Sequence, residues 1–115
     1  MTVKTQESPS QQAAVLLEML QEQHGLYHQL QSLSVQQSQS IRDGSTEELL
    51  ALLSKRQSVI DALSRSNTQV APYRERWATI CEIVEPSQRQ QVKQVLDEIE
   101  QRLNQVVQLD ELDGP

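Results

Sequence analysis

The stretch Ile41-Arg42-Asp43-Gly44-Ser45-Thr46-Glu47-Glu48-Leu49-Leu50 decides the fold. Gly44 is able to take the left-handed backbone conformation that closes a helix. Ser45 followed three residues later by Glu48 has the spacing of a capping box, the signature of a new helix start. A link this short between two helices turns the chain back on itself, so the sequence predicts an antiparallel helical hairpin centred on Asp43-Gly44.

Upstream of the turn, apolar residues recur at helical spacing: Ala13, Leu16, Leu20, Tyr27, Leu30 and Ile41, widened by Leu17, Leu26 and Leu33. Gln23, Ser34 and Gln37 fall in the same seam and make it polar in places. Ser10 is the expected N-cap, with a helix over 11–42 and a disordered lead over 1–9. Gly25, inside this helix, costs about 1 kcal/mol relative to alanine.

Downstream, Leu49, Leu50, Leu52, Leu53, Val59, Ile60, Leu63 and Val70 continue the apolar pattern. Pro72 removes one helical hydrogen bond. Tyr73, Trp77, Ile80, Cys81 and Val84 keep the helical period beyond it, so the expected element is a helix over 46–84, kinked near Pro72. A fresh start with Thr68 as N-cap is the alternative. Glu85-Pro86-Ser87 marks the second break, because proline disfavours helix at the residue before it. Ser87 and Gln90 offer another capping box for a third helix over 87–109. Its seam is regular: Val92, Leu96, Ile99, Leu103 and Val106, flanked by Val95 and Val107. The last residues, 110–115, read as a flexible acidic tail.

The fold class is therefore all-α: a long hairpin plus a shorter third helix, bundle-like or coiled-coil-like, in a single domain over 10–109. At 1.5 Å per residue the three helices span roughly 45, 60 and 33 Å. The third is too short to cover the hairpin, and an exposed apolar stripe of that kind marks an interaction site.

Composition fits this architecture. Hydrophobic residues are 37% and aromatics 3%, with no Phe, which suits narrow apolar seams better than a thick interior. The 19 glutamines populate solvated helix faces without adding charge. A net charge of −6 argues against a nucleic-acid partner, which requires a basic surface. Lys55 to Arg76 carries five basic and two acidic residues, and Ser87 to the end three basic and six acidic. The plain reading is solvated helix surface; the sharper one is attraction between the two segments. One cysteine excludes an intrachain disulfide. The expected location is cytoplasmic, since there is no secretory h-region and no apolar run for stable membrane insertion.

Chemistry-bearing candidates are few. His24 and His28 share a face at a spacing two metal ligands can use, but Glu22 is not on that face and a third ligand is missing. Cys81 reads as a packed thiol rather than a nucleophile. No glycine cluster cradles phosphate. No enzyme activity, metal or cofactor is expected. Tyr73 and Trp77, four apart, read first as packing anchors and second as a binding hot spot.

The segment Leu52-Leu53-x-x-Arg56-Gln57-x-x-Ile60-x-x-Leu63, together with the Asp-Gly turn, the acidic start at Glu47-Glu48 and the glutamine richness, resembles the flagellar export chaperones of the FlgN type. The similarity runs from about Leu16 to Leu109, and Arg56-Gln57 stands where relatives commonly have Lys-Gln. The Pro72–Trp77 stretch departs from the family pattern. The resemblance implies a cytoplasmic chaperone for type III export that holds the C-terminal helices of hook–filament junction proteins and prevents premature assembly. It implies that Val92, Leu96, Ile99, Leu103 and Val106, with Val95 and Val107 beside them, contact this client. The flagellar hook-associated proteins are the expected partners, with the export apparatus as a further one. A structural coiled-coil homodimer and a small regulatory adaptor are the competing readings.

Overall fold

The computed structural model describes residues 8–113. They form three helices, α1 (Pro9–Asp43), α2 (Thr46–Ile80) and α3 (Pro86–Asp113), in an elongated body of 60 × 33 × 19 Å. The all-α hairpin with a third, shorter helix is the architecture the sequence predicts.

Each helix end has a local cause. Ser8, not Ser10, is the N-cap of α1: its hydroxyl accepts from the Gln11 backbone N–H at 3.2 Å, and the Gln11 side chain accepts from the Ser8 N–H at 2.9 Å. Pro9 then occupies the first helical position, where its missing N–H has no partner to lose. Ser8 and Pro9 therefore belong to the helix start, while 1–7 of the expected lead lie outside the described residues. At the other end Gly44 has φ 70, its N–H bonds to the Ile41 carbonyl, and the Ser45 N–H bonds to the Ser40 carbonyl. That pair of bonds is the Schellman closure, which glycine allows without steric strain.

Four further start and stop expectations need correction. Ser45 makes no side-chain cap bond, so the Ser45–Glu48 box does not form; Glu47 and Glu48 instead place negative charge on the positive end of α2. Helix α2 passes through Pro72 and stops at Ile80 rather than residue 84, giving way to a tight turn in which Ile83 and Val84 N–H groups both bond to the Ile80 carbonyl. Thr68 lies within α2, its hydroxyl bonded to the Ser64 carbonyl. Helix α3 begins at Pro86, ahead of Ser87, and continues past residue 109 to Asp113. The expected 110–115 tail is thus helical over Asp110–Asp113, and Gly114-Pro115 lie outside the described residues.

Both α2 and α3 lie along α1, and no Cα of α2 comes within 8 Å of a Cα of α3. Helix α1 is therefore the spine. Near its start, Leu16 and Leu20 meet Val70 of α2 and Val92 and Val95 of α3, with Tyr73, Trp77, Leu96 and Ile99 packed around them. Ala13, Ile80 and Val84 form a smaller neighbouring cluster that Trp77 also touches. Towards the hairpin tip, Leu30, Leu63 and Val106 form a third, thinner cluster. At about 25 cal/mol per Å² of apolar area buried, these seams are the main source of stability. Beyond them the seam of α1 turns to buried serines, and the hydroxyls of Ser34 and Ser40 are enclosed without a hydrogen-bond partner.

Candidate functional site

The seven candidate contact residues of α3 divide by depth. Val92, Val95 and Val106 are buried in the bundle. Leu96 and Ile99 are half-buried against the first cluster. Leu103 and Val107 remain open, at 41% and 46% exposure. A single helical stripe thus serves two ends: its deeper edge holds α3 on α1, and its shallower edge meets solvent.

The contact of α3 with α1 is otherwise made by polar side chains, glutamines foremost. Gln88 Nε2 donates to the Ser10 carbonyl and hydroxyl at 3.2 and 3.1 Å. Arg102 Nη1 donates to Gln31 Oε1 at 2.6 Å, and Gln31 Nε2 donates to Gln105 Oε1 at 2.6 Å. These bonds place residue 88 of α3 beside residue 10 of α1 and residue 105 beside residue 31. Helix α3, at 28 residues and so longer than expected, therefore runs along most of α1, yet it is shorter than the 35-residue α1 and leaves the hairpin incompletely covered. Open apolar side chains occur on all three helices: Val35 and Ile41 on α1, Leu50, Leu53 and Ile60 on α2, and Leu103 and Val107 on α3.

Arg56 ties the three helices together. Its Nη1 donates to Gln37 Oε1 of α1 at 2.8 Å, and its Nη2 is paired with Asp110 Oδ2 of α3. The attraction expected between the basic middle segment and the acidic last segment takes this specific form. Two of the three polar seam positions have partners on α2: Gln37 through Arg56, and Gln23, which is 1% exposed and donates to Asn67 Oδ1 at 2.6 Å.

The remaining candidates have modest settings. His24 Nδ1 lies 3.8 Å from Glu98 Oε2 of α3, whereas His28 lines a separate cleft of about 490 Å³ between α1 and α2, with Leu33, Lys55 and Val59. Among the described residues, no group of three His, Cys, Asp or Glu side chains is placed to hold a metal ion. Cys81 is a half-buried free thiol in the turn after α2. Tyr73 and Trp77 pack into the core, as their four-residue spacing suggested, and the Arg76 guanidinium sits 5.4 Å from the Tyr73 ring centre. No helix of the described residues is long and apolar enough to cross a membrane.

Three helices with an incompletely sealed apolar edge describe many binding proteins, so the whole-chain pattern has to decide among them. The model of the FlgN protein family matches residues 12–114. This chain belongs to the FlgN family. No curated protein and no solved structure matches it. Membership gives the chain the role of a flagellar chaperone that binds protein clients. In this FlgN-family chain the match takes in all three helices, including the Pro72–Trp77 stretch that departs from the expected motif.

Sequence reasoning missed two features of the site. The outward positions Leu53 and Ile60 looked equivalent to their inward neighbours because the α2 pattern is leucine-dense on more than one face. The charge pattern signalled attraction between the two segments, but nothing singled out Arg56 among the five basic residues of its stretch as the junction.

Proposed function

We propose that this FlgN-family chain is a cytoplasmic chaperone of flagellar type III export that binds the C-terminal helices of hook–filament junction proteins. The family match carries the chaperone role. The divided α3 stripe is the observation that supports helix binding, with Val92, Val95, Leu96, Ile99, Leu103, Val106 and Val107 as the contact set.

Junction proteins assemble through their own terminal helices, so an unassembled copy exposes apolar helical surface. A chaperone that lays an amphipathic face on that surface removes it from water and blocks self-association. Leu103 and Val107 are open for the first contact. The buried members become available only as α3 loosens from α1. That interface relies on a narrow apolar seam and a few amide bonds, each worth about 1 kcal/mol net. An exchange of α3 contacts for client contacts therefore involves similar interactions on both sides, which keeps the complex releasable.

The test is capture of purified junction proteins by the wild-type chain and by Leu96→Asp/Leu103→Asp, with circular dichroism to show that the variant stays helical. Capture by wild type and loss in the variant is the expected result. A wild-type chain that captures none of them and sediments as a tight homodimer overturns the proposal in favour of a structural coiled coil.

A further inference from the structure

The face between α2 and α3 has a chemistry of its own. Successive helical residues are rotated by about 100°. Leu52 is buried in the bundle and Val59 packs towards α1, so Leu53 and Ile60, each one position later, are turned to the side. Arg56 and Lys55 fix which side. Arg56 reaches Asp110 of α3, whereas Lys55 lines the cleft with His28 and Leu33 of α1 on the opposite flank. Leu53 and Ile60 fall on the Arg56 side, facing α3. The same reasoning holds on α3: Arg102 turns to Gln31 of α1 and Asp110 to α2, and Val107, one position after buried Val106, falls on the Asp110 side with Leu103.

The two helices are antiparallel, with Arg56 level with Asp110 and Leu63 level with Val106. Ile60 therefore stands level with Val107, with Leu53 and Leu103 on either side. Their exposures are 38%, 46%, 41% and 41%. The four make one apolar strip about 15 Å long, some three helical turns, above the gap where the α2 and α3 backbones stay apart.

Charge identifies the occupant. Glu100 and Glu111 of α3 are exposed beside this strip, three and four residues from Leu103 and Val107, while Asp61, one step beyond Ile60, is exposed on the outer side of α2. The cations of the same stretches are engaged: Lys55 lines the opposite cleft, Arg102 bonds to Gln31 of α1, and Arg56, at the bottom of the gap, is neutralised by Asp110 and bonded to Gln37. The rim therefore carries carboxylates. A second copy docking by the same face would bring like charges together, and anionic lipid or nucleic acid would be repelled.

We propose that the α2–α3 face, with Leu53, Ile60, Leu103 and Val107 as its floor and Glu100 and Glu111 as its rim, docks a partner helix whose apolar stripe is flanked by lysine or arginine. The proposal deepens the chaperone reading and rests on it: it adds half of the contact surface, from α2, and states the charge of the client helix. A helix seated there makes the first contact, with α3 still on α1, before the buried residues of the stripe are exchanged.

The experiment uses the full chain and two designed helical peptides with the same leucine stripe at i, i+3, i+4 and i+7, one flanked by Lys and Arg, the other by Glu. Titration calorimetry at low salt is expected to show the basic peptide binding at least about tenfold tighter, with the gap closing at high salt as charges are screened. Leu53→Ser/Ile60→Ser, both at exposed positions, is expected to weaken the basic peptide about tenfold or more while the circular dichroism spectrum is unchanged. Glu100→Gln/Glu111→Gln is expected to narrow the preference between the peptides. Equal affinity for the two peptides, no binding of either, or binding indifferent to Leu53→Ser/Ile60→Ser overturns the proposal, as does a homodimer that the same variant dissolves. Junction-protein capture separates the two levels of the argument: capture that survives Leu53→Ser/Ile60→Ser defeats the α2–α3 site and leaves the chaperone reading standing, whereas absence of capture by wild type defeats that reading itself.

Discussion

Arg56 of α2 and Asp110 of α3 are ion-paired across a gap in which the two helix backbones do not touch. The arginine is the more enclosed partner, with side-chain exposure of 17% against 39% for the aspartate, and it also donates to Gln37 of α1. Its removal unlinks three helices, whereas removal of the carboxylate unlinks only α3.

Arg56→Ala is expected to cost about 1–2 kcal/mol in urea unfolding, and Asp110→Asn about 0.5–1 kcal/mol because its partner keeps Gln37 and solvent. Hydrogen exchange in Asp110→Asn should quicken in the last turns of α3 and remain unchanged near Leu16 and Leu20. Uniform quickening along all three helices would contradict a local role for the pair.

Gln23 and Asn67 test the polar gap in the α1 seam. Asn67 is exposed and can turn to water, so Gln23→Leu should be neutral to within about 0.5 kcal/mol. Gln23→Ala loses both the bond and the buried stem and should cost about 1–3 kcal/mol. A double-mutant cycle with Asn67→Ala would measure the bond itself.

Leu52 and Leu53 are neighbours in sequence with different surroundings, 4% and 41% exposed. Leu52→Ala should cost about 2–4 kcal/mol and Leu53→Ala less than about 1 kcal/mol. Equal losses in thermal or urea unfolding would mean that the face assigned to Leu53 is wrong.

The two described glycines should respond oppositely to alanine. A Cβ at Gly25 meets nothing within 4 Å, so Gly25→Ala should stabilise the chain by about 1 kcal/mol through helix propensity. Gly44 holds φ at +70, which an alanine adopts at a cost of roughly 1–2 kcal/mol, so Gly44→Ala should destabilise by about that amount. Melting temperatures of the two variants should move in opposite directions from wild type.

The sequence made the three helices legible because each break has a local chemical cause: glycine at the Asp43-Gly44 turn and proline after Glu85. Family membership was legible from the same turn and the Leu52–Leu63 segment. The helix limits were less so, because the caps compete. Pro86 and Pro9 are pre-organised for a first helical position, so each helix starts ahead of the serine expected to cap it. Asp110, in the last turns of α3, pairs with Arg56, 54 residues away in sequence, and no local pattern encodes that pairing. The α3 stripe was visible as a period, but its division into buried Val92, Val95 and Val106 and open Leu103 and Val107 depends on how α2 is placed across the gap. Periodicity in one helix carries no information about its neighbour's distance.

The chain's single tryptophan stands where two apolar clusters meet. Trp77 of α2 touches the cluster that Leu16 and Leu20 of α1 share with Val92 and Val95 of α3, and the smaller one formed by Ala13, Ile80 and Val84. With no phenylalanine and only two tyrosines elsewhere, the ultraviolet emission of the chain comes almost entirely from this junction. The molecule therefore carries its own optical probe, needing no label. Separation of α3 from the hairpin would admit water to the indole and shift its emission to the red, whereas a helix seated on Leu53, Ile60, Leu103 and Val107 would leave the colour of Trp77 unchanged.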